Sequence, residues 1–165
     1  MTLSPICNLH DLPTAEALWR LGLLRADQLP SVGISLLSAG VDSSALRMLA
    51  ATDAIQLDEG VQLFESMLSA MGRAPMSKRD AALIFARWIS SKLLANDISP
   101  IEAAAVISDA SVRVDDAAFH DLDVFVYASS EFQDRPEDTE MFSRAVRGEA
   151  LRLLHETAIG DDGAR

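Results

Sequence analysis

Apolar residues recur at spacings of three and four along nearly the whole chain, the period of helices that bury one face. The densest stretch is Ser77 to Asn96, SKRDAALIFARWISSKLLAN. Leu83, Ile84, Phe85, Trp88, Ile89, Leu93 and Leu94 cover most of a helical circumference there, and only Asp80, Arg87 and Ser91 form a polar stripe. The pattern predicts a largely buried helix that needs other helices on several sides. Ser77 is an expected N-cap, and Asn96 suits the left-handed turn that stops a helix.

The flanking segments follow the same period. A first helix is predicted from about Thr14, after Pro13, with Ala17, Leu18, Leu21 and Leu24 on one face. Residues 27–51 read as a helix hairpin. Asp27 is its cap, Pro30 lies in its first turn, and Leu29, Val32, Leu36 and Leu37 form its apolar side; Gly40 ends that helix, and Asp42 or Ser43 opens a second with Leu46 and Leu49. A polar break at Thr52 to Asp58 precedes a helix through Phe64, Met67 and Leu68 that ends at Gly72. Ser99, Pro100 and Glu102 predict a capping box for a helix carrying Ala103, Val106 and Ile107.

Residues 119–128 fit two templates. Leu122, Val124 and Val126 alternate as in a strand, whereas Leu122, Phe125, Val126 and Ser129 share a helical face; a helix capped by Asp121 is preferred because no second strand is at hand to pair with it. Asp134 and Glu137 predict another capping box, before a final helix with Phe142, Ala145, Val146, Ala150, Leu153 and Leu154 buried. Gly148 within it is expected where a neighbouring helix comes close.

The elements add up to an all-α protein of about seven or eight helices, a single helical domain over 1–158 with a disordered tail over 159–165. The junctions LLSAGVDS (Leu36 to Ser43) and LLANDISP (Leu93 to Pro100) look alike, which leaves HEAT-like helix pairs open beside an irregular bundle. At 165 residues, 49% apolar and 24% charged, the composition is that of a globular domain, and the 5% aromatic content with abundant Ala and Leu favours helix over sheet. The longest apolar run, Ala81 to Ala86, is far short of a membrane span. The stretch MTLSPICNLHDLP lacks the marks of a secretory leader, so a cytoplasmic location is expected. Cys7 is the only cysteine, which excludes an internal disulfide and a multi-cysteine metal site.

Charge changes the picture most. Residues 97–140 hold twelve acidic residues and only two basic ones, Arg113 and Arg135, and so carry nearly all of the net charge of −11. Asp109, Asp115, Asp116, Asp121, Asp123, Glu131 and Asp134 surround the least regular stretch, and they are the expected partner-binding residues for a basic protein. Phe119, Phe125, Tyr127 and Phe132 lie among them as apolar anchors or as core. A pI near 4.5 without a basic patch argues against direct nucleic-acid binding.

Little chemistry is legible. Asp115, Asp116, His120, Asp121 and Asp123 carry the atoms for a hard cation but not the spacing of a calcium loop, and no zinc, Walker A, dinucleotide or nucleophile-elbow pattern occurs. No catalytic residue, cofactor or metal ligand is assigned. Arg47, Arg79 and Arg87 are expected in structural ion pairs with nearby Asp residues.

LPSVGISLLSAGVDSSALRMLA, from Leu29 to Ala50, resembles the hairpin of small, mostly bacterial helical proteins of uncharacterised activity, with a pattern near LPxxxxxLLxxGxDSxALRxLA. Pro30, Gly40, Asp42, Ser43 and Arg47 carry the resemblance, which extends from Trp19 to Leu154 and implies an all-helical fold and no particular reaction. In size and acidity alone the chain is similar to immunity proteins that neutralise basic nuclease toxins. The expected function is non-enzymatic binding of a basic protein, most concretely as an immunity or antitoxin-like inhibitor. A helical scaffold or adaptor and an enzyme with a dispersed, metal-assisted site are the alternatives.

Overall fold

The first helix starts two residues before the expected Thr14. Asp11 has extended backbone and its Oδ1 accepts the Thr14 amide at 2.7 Å, so α1 spans Leu12–Arg20 with Pro13 in its first turn. It stops where Gly22 takes φ 64°: the Gly22 amide donates to the Trp19 carbonyl at 3.0 Å and the Leu23 amide to that of Leu18 at 2.9 Å. Leu24 therefore lies outside the helix, yet it is buried.

The computed structural model describes Leu9 and residues 11–51, 57–72 and 74–160, with the side chains of 57, 58 and 157–160 left aside. Cys7, His10, much of the break from Thr52 to Asp58, and 161–165 of the expected tail lie outside the described residues. Among the described residues there are eight α-helices, two short 3-10 turns and no strand, the all-α architecture that the pattern predicts. The chain gathers into two compact units, 1–77 and 78–165.

In the first unit α1 is followed by the 3-10 turn Ala26–Gln28, α2 (Leu29–Ser38), α3 (Ser44–Ala50) and α4 (Leu57–Ala70). Asp27 does not cap α2. It pairs with Arg25 at 2.7 Å, while the Gln28 side chain takes the Arg25 amide at 2.8 Å. α2 packs on α3 and α3 on α4, burying Leu29, Val32, Leu36, Leu46, Leu49, Phe64 and Met67. Trp19 of α1 rests on Phe64, ring centroids 5.5 Å apart, and its indole N–H donates to Glu65 at 3.1 Å. Glu16, also on α1, is 1% exposed; it accepts the Met76 amide at 3.1 Å and lies 4.0 Å from Arg20. Its position on an apolar-patterned helix gave no sign of this, since the partner amide is 60 residues away.

In the second unit the helices are α5 (Lys78–Leu94), α6 (Pro100–Val112), α7 (Asp123–Asp134) and, after the 3-10 turn Pro136–Asp138, α8 (Thr139–Gly160). Successive helices pack together, and α8 returns onto both α5 and α6, so this unit closes on itself as a bundle. α5 buries Ala81, Ala82, Phe85, Ala86, Ile89, Ser90 and Leu93, a narrower face than its composition predicts: Leu83, Ile84, Trp88 and Leu94 stay half-buried. Ser90 is completely buried and its hydroxyl has no hydrogen-bond partner among the described residues. Three expectations for α8 need correction. Ala145, expected inside, is exposed. Thr139 begins it after the 3-10 turn, so Asp134 ends α7 instead of capping α8, and a Cβ on Gly148 would meet open space, not a neighbouring helix.

The two look-alike junctions share their capping chemistry, one residue out of the register that their leucines suggest. Gly40 and Asn96 take φ 88° and 63°. The amide just after each reaches back across the last turn, Val41 to Leu36 at 3.0 Å and Asp97 to Lys92 at 2.9 Å. Three residues beyond each left-handed residue a serine caps the next helix: Ser43 accepts from the Leu46 amide at 3.1 Å, and Ser99 from the Glu102 amide at 3.2 Å. Ser99 and Glu102 form the reciprocal capping box, with the Ser99 amide donating back to Glu102 at 2.9 Å.

Candidate functional site

The acidic residues are spread over three local structures. Asp109 is exposed on the last turns of α6. Beyond it Val114 turns inward, Asp115 takes the left-handed φ of 54°, and the Asp116 carboxylate accepts the Ala118 amide at 2.9 Å. After Gly and Asn, Asp is among the residues that best tolerate a left-handed backbone, and its short carboxylate can accept an amide two residues on, so Asp115 and Asp116 shape this loop as well as charging it.

Phe119 and Leu122 fix the rest of the loop by inserting into the core. Arg79 of α5 lies over the Phe119 ring, 5.4 Å from its centroid, and donates to Asp121 at 2.8 Å. Asp121 is thus not the cap of α7, which has no side-chain cap; its carboxylate is turned to α5. Asp123 opens α7, where its charge suits the helix dipole, and lies 3.0 Å from His120 Nδ1. The set with His120 does not gather: among the described residues no three His, Cys, Asp or Glu side chains converge as metal ligands.

Glu131 and Asp134 lie on the later turns of α7, Asp134 about 16 Å along the axis from Asp123. Glu131 is 3.6 Å from Arg135, and Arg135 also pairs with Asp138 and lies over the Phe142 ring at 5.8 Å. The Asp138 carboxylate, helped by Glu131, raises the Arg135 pKa above its ordinary value against the effect of desolvation. Of the seven expected binding residues, Asp121, Asp123 and Glu131 already face a cationic or imidazole partner, Asp116 holds a backbone amide, and Asp109, Asp115 and Asp134 are exposed.

The four candidate aromatic anchors divide. Phe119, Phe125 and Phe132 are core, whereas Tyr127 is 56% exposed. Every aromatic of the chain lies among the described residues, and Tyr127 is the only exposed one of them. Its ring is braced edge-on against Phe142 at 6.1 Å, and Phe142 is braced in the same way against Phe132 at 5.9 Å. The helical period holds this signal, because a face with Phe125, Ala128 and Phe132 inward turns Val124 and Tyr127 outward. Glu137 and Glu140, also exposed, add to the acidic corner between α7 and α8 that the expected capping box had concealed.

The expected structural arginine pairs hold for two of three. Arg47 makes a two-pronged contact with Asp42, at 2.7 and 2.6 Å, and Arg79 meets Asp121, but Arg87 donates to the Leu153 carbonyl at 3.3 Å. The hairpin positions Pro30, Gly40, Asp42, Ser43 and Arg47 thus serve a first turn, a left-handed stop, an ion pair and a cap. No helix among the described residues is long and apolar enough to cross a membrane. The chain matches no known family model, no protein of established function and no solved structure.

Proposed function

We propose that this protein is a non-enzymatic binding module that docks a basic protein on the acidic face of its second unit, as an immunity or antitoxin-like inhibitor would cover a nuclease. The carrying observation is the span 97–140, with twelve acidic residues against two basic ones, in which Asp109, Asp115 and Asp134 are exposed. Such a surface raises the local concentration of a cationic partner and pairs with its Lys and Arg side chains, while repulsion among its own carboxylates is relieved on binding.

The test uses a panel of purified basic nucleases, with binding and inhibition measured at low and high salt. Asp109→Lys and Asp134→Lys are the informative substitutions, because neither position holds an ion pair or a loop amide described above. The reading expects tighter binding at low salt and weaker binding by the double variant. Affinity and salt dependence unchanged by the double charge reversal would sink it.

A scaffold or adaptor role is the second reading, favoured by Ile34 and Met48, which are 55% and 59% exposed on α2 and α3. Apolar docking there survives high salt, which separates it from the first.

A further inference from the structure

We infer that the outward stripe of α7, Val124 and Tyr127, is the anchoring surface for a basic amphipathic helix, with the surrounding carboxylates as its rim. This rests on the acidic-face reading above and specifies the chemistry of its partner. Val124 and Tyr127 are three residues apart, hence on one face of α7, and they are 38% and 56% exposed. A globular chain with so few aromatics gains from burying each of them, and all the others are buried or half-buried. Tyr127 is held outward instead, its ring kept in place by Phe142. A braced tyrosine offers a large contact area with little rotamer entropy left to lose, the character of an interface anchor.

The rim selects the occupant. Asp123 precedes the stripe, Asp134 follows it, and Glu137 and Glu140 are exposed at the next corner, beside Met141, which is 46% exposed. An apolar partner without charge desolvates these carboxylates without offering them a cation, whereas an unstructured cationic segment leaves Val124 and Tyr127 in water. A helix with one apolar face and flanking Lys or Arg satisfies both.

The experiment titrates the full chain with two synthetic peptides of equal charge and about five helical turns: an amphipathic Leu/Lys helix and its counterpart with every Leu replaced by Ser. The inference expects the Leu peptide to bind at least about tenfold tighter, and expects Tyr127→Ser and Val124→Ser to abolish that preference while leaving the helical circular-dichroism signal and Tm near the parent's. Val124→Ser keeps the test decisive should Tyr127→Ser unsettle the fold. Equal binding of both peptides, suppressed by the Asp109→Lys, Asp134→Lys variant, overturns the anchor and leaves the acidic-face reading standing. Absence of binding by either peptide counts against both. A Leu preference that survives both serine variants moves the anchor elsewhere, and self-association lost in Tyr127→Ser assigns the stripe to a second copy; each overturns the inference.

Discussion

Gly33 of α2 lies against the backbone of Ala50 of α3: a Cβ added to Gly33 would stand 3.1 Å from the Ala50 nitrogen and 3.2 Å from its Cα. Those atoms belong to a helix and cannot swing aside as a side-chain tip does. Gly33→Ala gains about 1 kcal/mol of helix propensity but meets about 1–3 kcal/mol of overpacking, so a net loss of roughly 1 kcal/mol is expected. Gly148→Ala is the control. Its Cβ meets nothing within 4 Å, and it is expected to stabilise by about 1 kcal/mol. Thermal or urea unfolding of the two variants should move in opposite directions.

Ser90 is buried in the second unit, and its hydroxyl has no hydrogen-bond partner among the described residues. A desolvated hydroxyl without a partner costs about 1–3 kcal/mol, and its removal leaves only a small void. Ser90→Ala is expected to raise stability by about 1 kcal/mol. A loss of that size in equilibrium unfolding would mean that the hydroxyl is engaged.

The capping serines are expected to outweigh the exposed ion pair beside one of them. Ser43→Ala and Ser99→Ala should each cost about 1 kcal/mol. Arg47→Ala should cost less than Ser43→Ala, because the Asp42–Arg47 pair is 56–66% exposed and screened by water. Melting curves of the three variants side by side decide the order.

Acid should weaken the α6 cap through Glu102. Hydrogen bonds from the Ser99 amide, and then from its hydroxyl, lower the Glu102 pKa below the ordinary 4.5. The folded state therefore binds this proton less readily than the unfolded chain does. The stabilisation is fully present above about pH 4.5 and is lost as pH falls through the lowered folded value. In Glu102→Gln this part of the acid sensitivity should disappear, so its Tm should fall less than the parent's below pH 4.5. Parallel Tm–pH curves for the two proteins would contradict the prediction.

Asp115 carries a left-handed backbone, φ 54°. Asp115→Gly and Asp115→Asn should leave the stability equal or higher, whereas Asp115→Val should cost roughly 1–2 kcal/mol from the clash of its branched Cβ. A valine variant as stable as the parent would show that the loop rearranges freely.

Most local structure was legible because it rests on short-range physics. Gly40 and Asn96 stop their helices, and Ser99 with Glu102 starts α6, through bonds that span five residues or fewer. The helix over 123–134 is preferred to a strand only because no second strand is at hand; of the face read for it Leu122 and Phe125 are buried, Val126 and Ser129 are half-buried, and Ala128 and Phe132 complete the inner side. The D-x-x-E signal at Asp134 misled because Pro136 opens a 3-10 turn there, and the local bonds of that turn satisfied the chain before α8 began.

The candidate site was legible only as charge. Asp109, Asp115 and Asp134 are exposed as an acidic span implies, but the engagement of Asp121 by Arg79 depends on a residue 42 positions away. The same distance problem hid Glu16, whose partner amide comes from Met76.

By itself the sequence determined an all-helical chain, several of its helix ends and a strongly acidic second half, since propensity, capping and net charge are properties of near neighbours and of composition. Tertiary structure alone decided that Ser90 lies in the core, that Gly33 meets Ala50, and that Phe142 braces the outward ring of Tyr127. Those outcomes depend on which helices meet, a choice made by shape and packing density across long stretches of chain that no local pattern encodes.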